Sequence, residues 1–431
     1  MADSKVCVVG MWHLGSIVSA CLSETGFYAV GVDKEETRVS NLNHGIPPLS
    51  EPGLPKMLKK NVRSHRLRFT TDLPSALKHA RYIYVAYDLR ADDPTGLSAL
   101  LQSCRELAVH LENHSIVVVG SQVPVGTCEK IKLIIEDANP NLEFDVACVP
   151  ENLRLGQGVE RFLHPNVVVI GAESLSTYEA VKSLFSFTDA PKIRVSLRTA
   201  EMIKHALNTF LAMSISIINE LANLCEKLNI DAIEVSSVLR LDERISEKMP
   251  LKPGLGFSGG TILRDLKALK KLGEEHSCPT LLIDAIIRVN EEQRGLVVRK
   301  LRTVYPSLTN LTIGVLGLTY KPGTSTLDGS VALEIIKDLK DEGVTVKAHD
   351  PGISMDDARS HRDFYFCSDP TAVAKNSDAL IILTAWPQYS SLHFNSIKTM
   401  MKKPVIIDAQ NVLDANKMRD LGFRYFGVGR P

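Results

Sequence analysis

The sequence predicts an α/β chain with two open, mainly parallel sheets, helices on both faces of each, and a helical segment between them. Three observations carry that expectation. Lys5–Val9 (KVCVV) is a short apolar run ending at Gly10; a helical pattern follows over about residues 15–25, and a second apolar run, Tyr28–Val32, ends at Asp33. The same order restarts at residues 311–317 (LTIGVLG) and closes on 344–349 and Asp350. Between the two, residues 197–228 contain no Gly or Pro, and Ala, Leu, Ile and Met recur at helical spacing.

Taken in order, apolar runs at 82–86, 115–119, 145–149 and 166–170 extend the first β-α-β unit into a parallel sheet, with helical patterns between most of them. One unbroken helix is expected over 197–228 and more helix over 285–305, with a glycine-rich loop between. Runs at 379–383 and 405–407 complete the second sheet. The expected organisation is a Rossmann-like, doubly wound domain over residues 1–196, a helical middle domain with a long central helix over 197–305, and a second Rossmann-like domain over 306–431. The long helix is apolar on more than one face, which favours a homodimer through 197–228; a buried spine within one chain is the alternative.

Composition narrows the function classes. Among 431 residues, 50 Lys and Arg balance 50 Asp and Glu, and such neutrality argues against a nucleic-acid binder, which needs a basic surface. No apolar run approaches the roughly 18–20 residues that span a bilayer. Residues 1–5 run straight into a core-like strand, with no room for a signal peptide. The eight cysteines are scattered without a C-x-x-C pair, so reduced core thiols of a cytoplasmic protein are expected, with no disulfide framework and no metal.

In Gly10-Met11-Trp12-His13-Leu14-Gly15 the first and third glycines of G-x-G-x-x-G are present, and Trp12 occupies the second position. The first glycine makes the tight turn, the third lets helix and strand pack closely, and the second normally lets a pyrophosphate approach the backbone. Asp33 follows at the distance expected of an acid that accepts hydrogen bonds from the adenosine ribose and repels a 2′-phosphate, favouring NAD over NADP. Arg38, a turn further on, is placed to cover the adenine. The most specific segment is 251–265 (LKPGLGFSGGTILRD). Four glycines in seven residues predict a loop wrapped around a ligand, since no packing purpose needs so many.

With that segment the chain resembles the UDP-glucose/GDP-mannose dehydrogenase family. The resemblance runs from Lys5 to the closing Gly427-Val428-Gly429-Arg430-Pro431. It includes Glu51-Pro52-Gly53, LRFTTD (67–72), VPVGT (123–127), Pro150-Glu151, residues 201–208, 253–265, 316–322 and 408–411. It implies NAD as cofactor, a nucleotide sugar (UDP- or GDP-linked) as substrate, a role in polysaccharide biosynthesis, and oxidation of a sugar alcohol through an aldehyde to a carboxylate. Lys204 and Asn208 match the catalytic Lys and Asn, Glu151 an active-site glutamate, and Asp265 the aspartate that orients water. Arg244 matches a sugar-binding arginine lent by a neighbouring subunit, and Lys321 a lysine of the sugar cleft between the two Rossmann-like domains. Arg154, Gly256, Phe257 and Gly260 join the substrate set. Gln122 and Arg264 join Gly10, Trp12, His13, Leu14, Gly15, Asp33 and Arg38 in the cofactor set.

The departures cluster. Thr261 stands where the family has the cysteine that captures the aldehyde, and a hydroxyl, unlike a thiol of pKa about 8.5, needs a base beside it. Gln122 replaces a threonine, Leu155 a second glutamate, Leu89 and Arg90 a Thr-Pro pair, and Asp328 and Gln410 two arginines. Cys128 is the one other thiol near a site-lining loop, and a buried structural role is expected for it. These changes predict a two-electron dehydrogenase that stops at an aldehyde or ketone. The rival is a catalytically silent relative that binds NAD and a nucleotide sugar in a regulatory role. A 6-phosphogluconate or hydroxyacid dehydrogenase would share the front domain and long helix, but not the second Rossmann half.

Overall fold

The computed structural model describes residues 5–89, 95–327, 329–358 and 361–431; Arg90 and Asp328 lie outside these. The chain divides into two compact units, residues 1–207 and 208–431.

The first unit is built on eight strands: β1 (Lys5–Val9), β2 (Tyr28–Val32), β3 (Leu67–Thr70), β4 (Ala80–Val85), β5 (Ser115–Val119), β6 (Phe144–Cys148), β7 (Val168–Ala172) and β8 (Lys192–Val195). They lie side by side as β3-β2-β1-β4-β5-β6-β7-β8, all parallel except the β6–β7 pair. Alternate side chains serve opposite faces, as the pleat requires. Val6 and Val8 pack with Ile17, Leu22 and Phe69 on one side. Cys7 and Val9 pack with Ile83, Val117 and Ile131 on the other. Because helices cover both faces, β1 reads as a continuous apolar run, and each buried Val or Ile contributes about 1.5–3 kcal/mol relative to exposure.

The second unit carries β9 (Thr312–Leu316), β10 (Thr345–His349), β11 (Tyr365–Phe366), β12 (Ala379–Ile382), β13 (Val405–Asp408) and β14 (Arg424–Gly427), ordered β11-β10-β9-β12-β13-β14 and all parallel. In both sheets the strand order reverses beside the first strand, between β1 and β4 and between β9 and β12. That reversal opens a crevice at the strands' carboxyl ends. The inner strands of both sheets and the helix Leu197–Leu228 stand where the apolar runs predict them, whereas the outer strands β3, β8, β11 and β14 are not expected from any run.

Three expectations change. The segment 251–265 is not a loop throughout, because a helix runs from Gly260 to Glu275. Ile262, Leu263 and Leu266 recur at helical spacing and pack with Ala212, Phe257 and Ile286, so Thr261 and Asp265 are helix residues. The glycines there also have backbone duties. Gly256 has φ +87°, and a Cβ would come within 2.2 Å of Asn290 Oδ1; Gly259 has φ +79°, and a Cβ on Gly329 would meet its Cα at 2.7 Å. Finally, the helix expected over 285–305 is two helices, Leu281–Arg294 and Leu296–Arg302, parted at Gly295.

Candidate functional site

The turn after β1 keeps two of its three glycines for steric reasons. Gly10 has φ +96°, and a Cβ on Gly15 would lie 1.8 Å from Gly10 O. Trp12 has φ −91°, so that position tolerates a side chain without backbone strain. The following helix runs His13–Glu24, two residues earlier than the sequence pattern places it, with Trp12 at its N-cap. Asp33, after β2, closes the turn: its Oδ2 accepts from Met11 N at 2.8 Å, and its Oδ1 from Glu35 N at 3.0 Å and Arg38 Nη1 at 2.8 Å. The Arg38 guanidinium also lies 5.1 Å from the centre of the Trp12 ring, so arginine and indole brace each other beside the acid.

His13 Nε2 donates to Glu51 Oε2 at 2.9 Å. The same buried carboxylate accepts from Gly156 N at 2.9 Å and Gly158 N at 2.6 Å. Burial pushes the Glu51 carboxyl up, but these three hydrogen bonds outweigh it and hold the group below its ordinary value. Leu14 N donates to Asp88 Oδ2 at 3.0 Å, so an acid from the segment after β4 meets the start of the helix.

The first turns of the helix Leu197–Leu228 are clamped to the turn after β5. Glu201 Oε2 accepts from Gly126 N at 2.5 Å and Oε1 from Cys128 N at 2.7 Å, at the start of the helix Thr127–Ala138. His205 Nε2 donates to the Val123 carbonyl at 2.9 Å. Lys204, only 6% exposed, donates to Asn152 Oδ1 at 3.2 Å. Glu151 accepts from Leu153 N, Arg154 is exposed, and Gln122 is buried. Cys128 is fully buried, and a hydrogen bond with Cys148, together with burial, raises its thiol well above the usual value, so it is not a competent nucleophile.

In the second unit Asn208 Nδ2 donates to Asp265 Oδ2, both side chains being buried, and Arg264 Nε stands 3.7 Å from Asp265 Oδ1. The glycine segment is fixed by amides. Gly254 N donates to Asn219 Oδ1 at 2.8 Å, Gln293 Nε2 to Gly254 O at 2.8 Å, and Phe257 N to Asn290 Oδ1 at 2.8 Å. Gly260 and Thr261 are exposed, and no base is hydrogen-bonded to Thr261 among the described residues. Lys321 Nζ lies 5.6 Å from the centre of the Tyr320 ring, and the Tyr320 carbonyl accepts from Ser258 Oγ at 3.3 Å. Gln410 Nε2 donates to Leu383 O at 2.8 Å. Arg244 is paired with Asp242, two residues away, and its side chain is 84% exposed.

The geometry thus assembles Asp33 and Arg38 with the glycine turn, Lys204 with Asn152, and Asn208 with Asp265 and Arg264. Motif reasoning passes over Asp88, Asn152, Asn219, Asn290 and Gln293. Glu201 and His205 fall within the 201–208 stretch that carries the resemblance, where an acid and a histidine flank the lysine.

A glycine turn whose steric demands are intact, an acid at the end of the second strand, and a helix N-terminus at a strand-order reversal define a dinucleotide-binding protein of the Rossmann type. The steric demands of the glycine turn and the acid that follows β2 fit NAD. The chain belongs to the UDP-glucose/GDP-mannose dehydrogenase family of NAD-dependent nucleotide-sugar dehydrogenases. Residues 4–189 match the family's NAD binding domain, 198–292 its central domain and 314–415 its UDP binding domain. The chain is 36% identical to UDP-glucose 6-dehydrogenase TuaD of Bacillus subtilis, covering 99% of this chain and 93% of that protein. It is 34% identical to UDP-glucose 6-dehydrogenase of Rhizobium meliloti, covering 99% and 100%. Among solved structures, a UDP-glucose dehydrogenase from Pyrobaculum islandicum superposes with a TM-score of 0.91 at 30% identity, covering 100% of this chain and 98% of that one. No helix among the described residues is long and apolar enough to cross a membrane.

Proposed function

We propose that this chain oxidises the CH–OH group of a UDP- or GDP-linked sugar once and stops at an aldehyde or ketone. Thr261 supports the reading: it is the second residue of the helix Gly260–Glu275, exposed, with no base hydrogen-bonded to it among the described residues. Its hydroxyl can donate a hydrogen bond but cannot capture an aldehyde carbon as a thiolate would. NAD, when bound, supplies the acceptor for the hydride leaving the carbinol carbon. The alcohol proton departs with assistance from Lys204, so the products are a carbonyl, NADH and one proton. Asn208 and Glu151 hold the reacting oxygen, and the Asp265 carboxylate fixes the Asn208 amide through their hydrogen bond. Arg154, Lys321 and the backbone at Gly256, Phe257 and Gly260 take the sugar nucleotide.

The test is stoichiometric. Purified protein incubated with NAD and a panel of UDP- and GDP-sugars should yield one NADH per sugar and a carbonyl product; two NADH with a uronic acid would overturn the reading. Tight binding of both ligands with no NADH on any sugar would favour a silent, regulatory relative, which Trp12 and Gln122 in the cofactor set make worth testing.

We also propose that the helical segment 197–305 is a dimerisation module. Phe210, Ile217 and Leu224, seven residues apart on the long helix, are 63%, 48% and 55% exposed. That spacing makes a seam suited to a second copy of the same helix. In such a dimer the exposed Arg244 serves the sugar site of the neighbouring copy.

A further inference from the structure

The helix His13–Glu24 has no side-chain cap from its own N-cap residue. The N–H groups of its first turn therefore need partners, and in a dinucleotide turn they are the donors that receive the pyrophosphate. Here Leu14, the second residue of the helix, already donates its N–H to a carboxylate, Asp88 Oδ2, at 3.0 Å. Asp88 lies three residues beyond β4, the strand paired with β1, at the crevice where the strand order reverses. The segment leading to it is firmly held. Ala86 N donates to Val9 O at 2.9 Å, and Tyr87 donates its hydroxyl to Ser103 at 2.9 Å while its ring crowds Gly10. The acid is therefore presented to the helix start from a fixed strand end.

The geometry points to Asp88 as an internal anion in the pyrophosphate seat, one that NAD must displace to bind. Two anionic groups cannot both take the Leu14 N–H, and a diphosphate brought beside an ionised carboxylate is repelled. Asp88 thus lowers cofactor affinity through the phosphates alone, leaving recognition of the adenosine end to Asp33 and Arg38. This rests on NAD as the ligand of the turn.

The experiment titrates NAD, ADP-ribose and adenosine into the full chain and into Asp88→Asn, by calorimetry. Asparagine keeps an acceptor for Leu14 N but removes the charge. NAD and ADP-ribose should bind about tenfold more tightly to the variant, adenosine equally to both, and the gain should shrink as salt is added. Asp88→Gly should shift binding in the same direction, and a melting curve without ligand confirms that each variant is folded. Equal or weaker NAD binding by both folded variants would overturn the role of Asp88, as would an equal gain for adenosine. Failure of every protein to bind NAD would overturn the cofactor reading and this inference together.

Discussion

Asp33 and Asp350 occupy the same place in the two sheets. Each follows the second strand of a β-α-β unit and accepts a backbone N–H from the turn after the first, Asp33 Oδ2 from Met11 at 2.8 Å and Asp350 Oδ2 from Leu318 at 2.7 Å. They differ in what else holds them. Asp350 is 1% exposed and also accepts from Thr319 N, Thr319 Oγ1, Trp386 Nε1 and Gly352 N. Asp33 shares itself with Glu35 and Arg38 near the surface. Asp350→Asn should therefore destabilise the protein by about 2–3 kcal/mol in urea denaturation, because the replaced oxygen can no longer accept. Asp33→Asn should cost less than half of that and instead weaken NAD binding.

The Glu51 carboxyl gives a signed pH prediction. Its folded value lies below the ordinary one, so the unfolded chain takes up the proton first and stability rises with pH. The contribution is complete above the ordinary carboxylate value of about 4.3 and disappears as the pH falls through the folded value. Melting temperatures measured across the acid range should drop more steeply for the natural chain than for Glu51→Gln.

Asn208→Ala should remove the amide that donates to Asp265 Oδ2, on a fully buried carboxylate. A loss of about 1–3 kcal/mol of stability is expected from the lost buried hydrogen bond, together with a fall in kcat. Asn208→Gln, which keeps the amide but moves it by a methylene, should recover part of the stability and little of the rate. Circular dichroism and initial rates distinguish the two effects.

Introducing sulfur with Thr261→Cys should let a second hydride follow the first. The expected result is a ratio of NADH to sugar above one, rising with pH as the thiol ionises near about 8.5. A trapped acyl adduct in the variant, and none in the natural chain, checks it by mass spectrometry.

On the long helix, Phe210→Glu with Ile217→Glu should convert a dimer to a monomer in sedimentation velocity without unfolding the chain, since both side chains are exposed. A natural chain that sediments as a monomer would remove the seam.

The central strands were legible because helices cover them on both faces, leaving unbroken apolar runs such as KVCVV and SIVVV. No such run marks β3, β8, β11 or β14, and these four are the outer strands of the two sheets. β8 (KIRV) has no buried residue and β11 only two residues, so an outer strand leaves little pattern to read. The helix start at Gly260 was hidden by neighbouring glycines, whose backbone duties appear only once Asn290 and Gly329 are placed. Asp33 was legible through its distance from the glycine turn. Asp88 was not, because its partner, Leu14 N, lies 74 positions away in the chain and belongs to no motif.

The clamps at Glu201 and His205 bear on how this scaffold can be altered. Lys204 sits between two side chains bolted to the backbone of residues 123–128, so its location is inherited from the sheet rather than from the rod that carries it. Anyone retargeting the protein to a new alcohol can change the exposed positions of that rod outside the Phe210, Ile217 and Leu224 seam without moving Lys204. Swapping in a foreign 123–128 segment, by contrast, would drag the ammonium group out of register even with every contacting residue around it left unchanged.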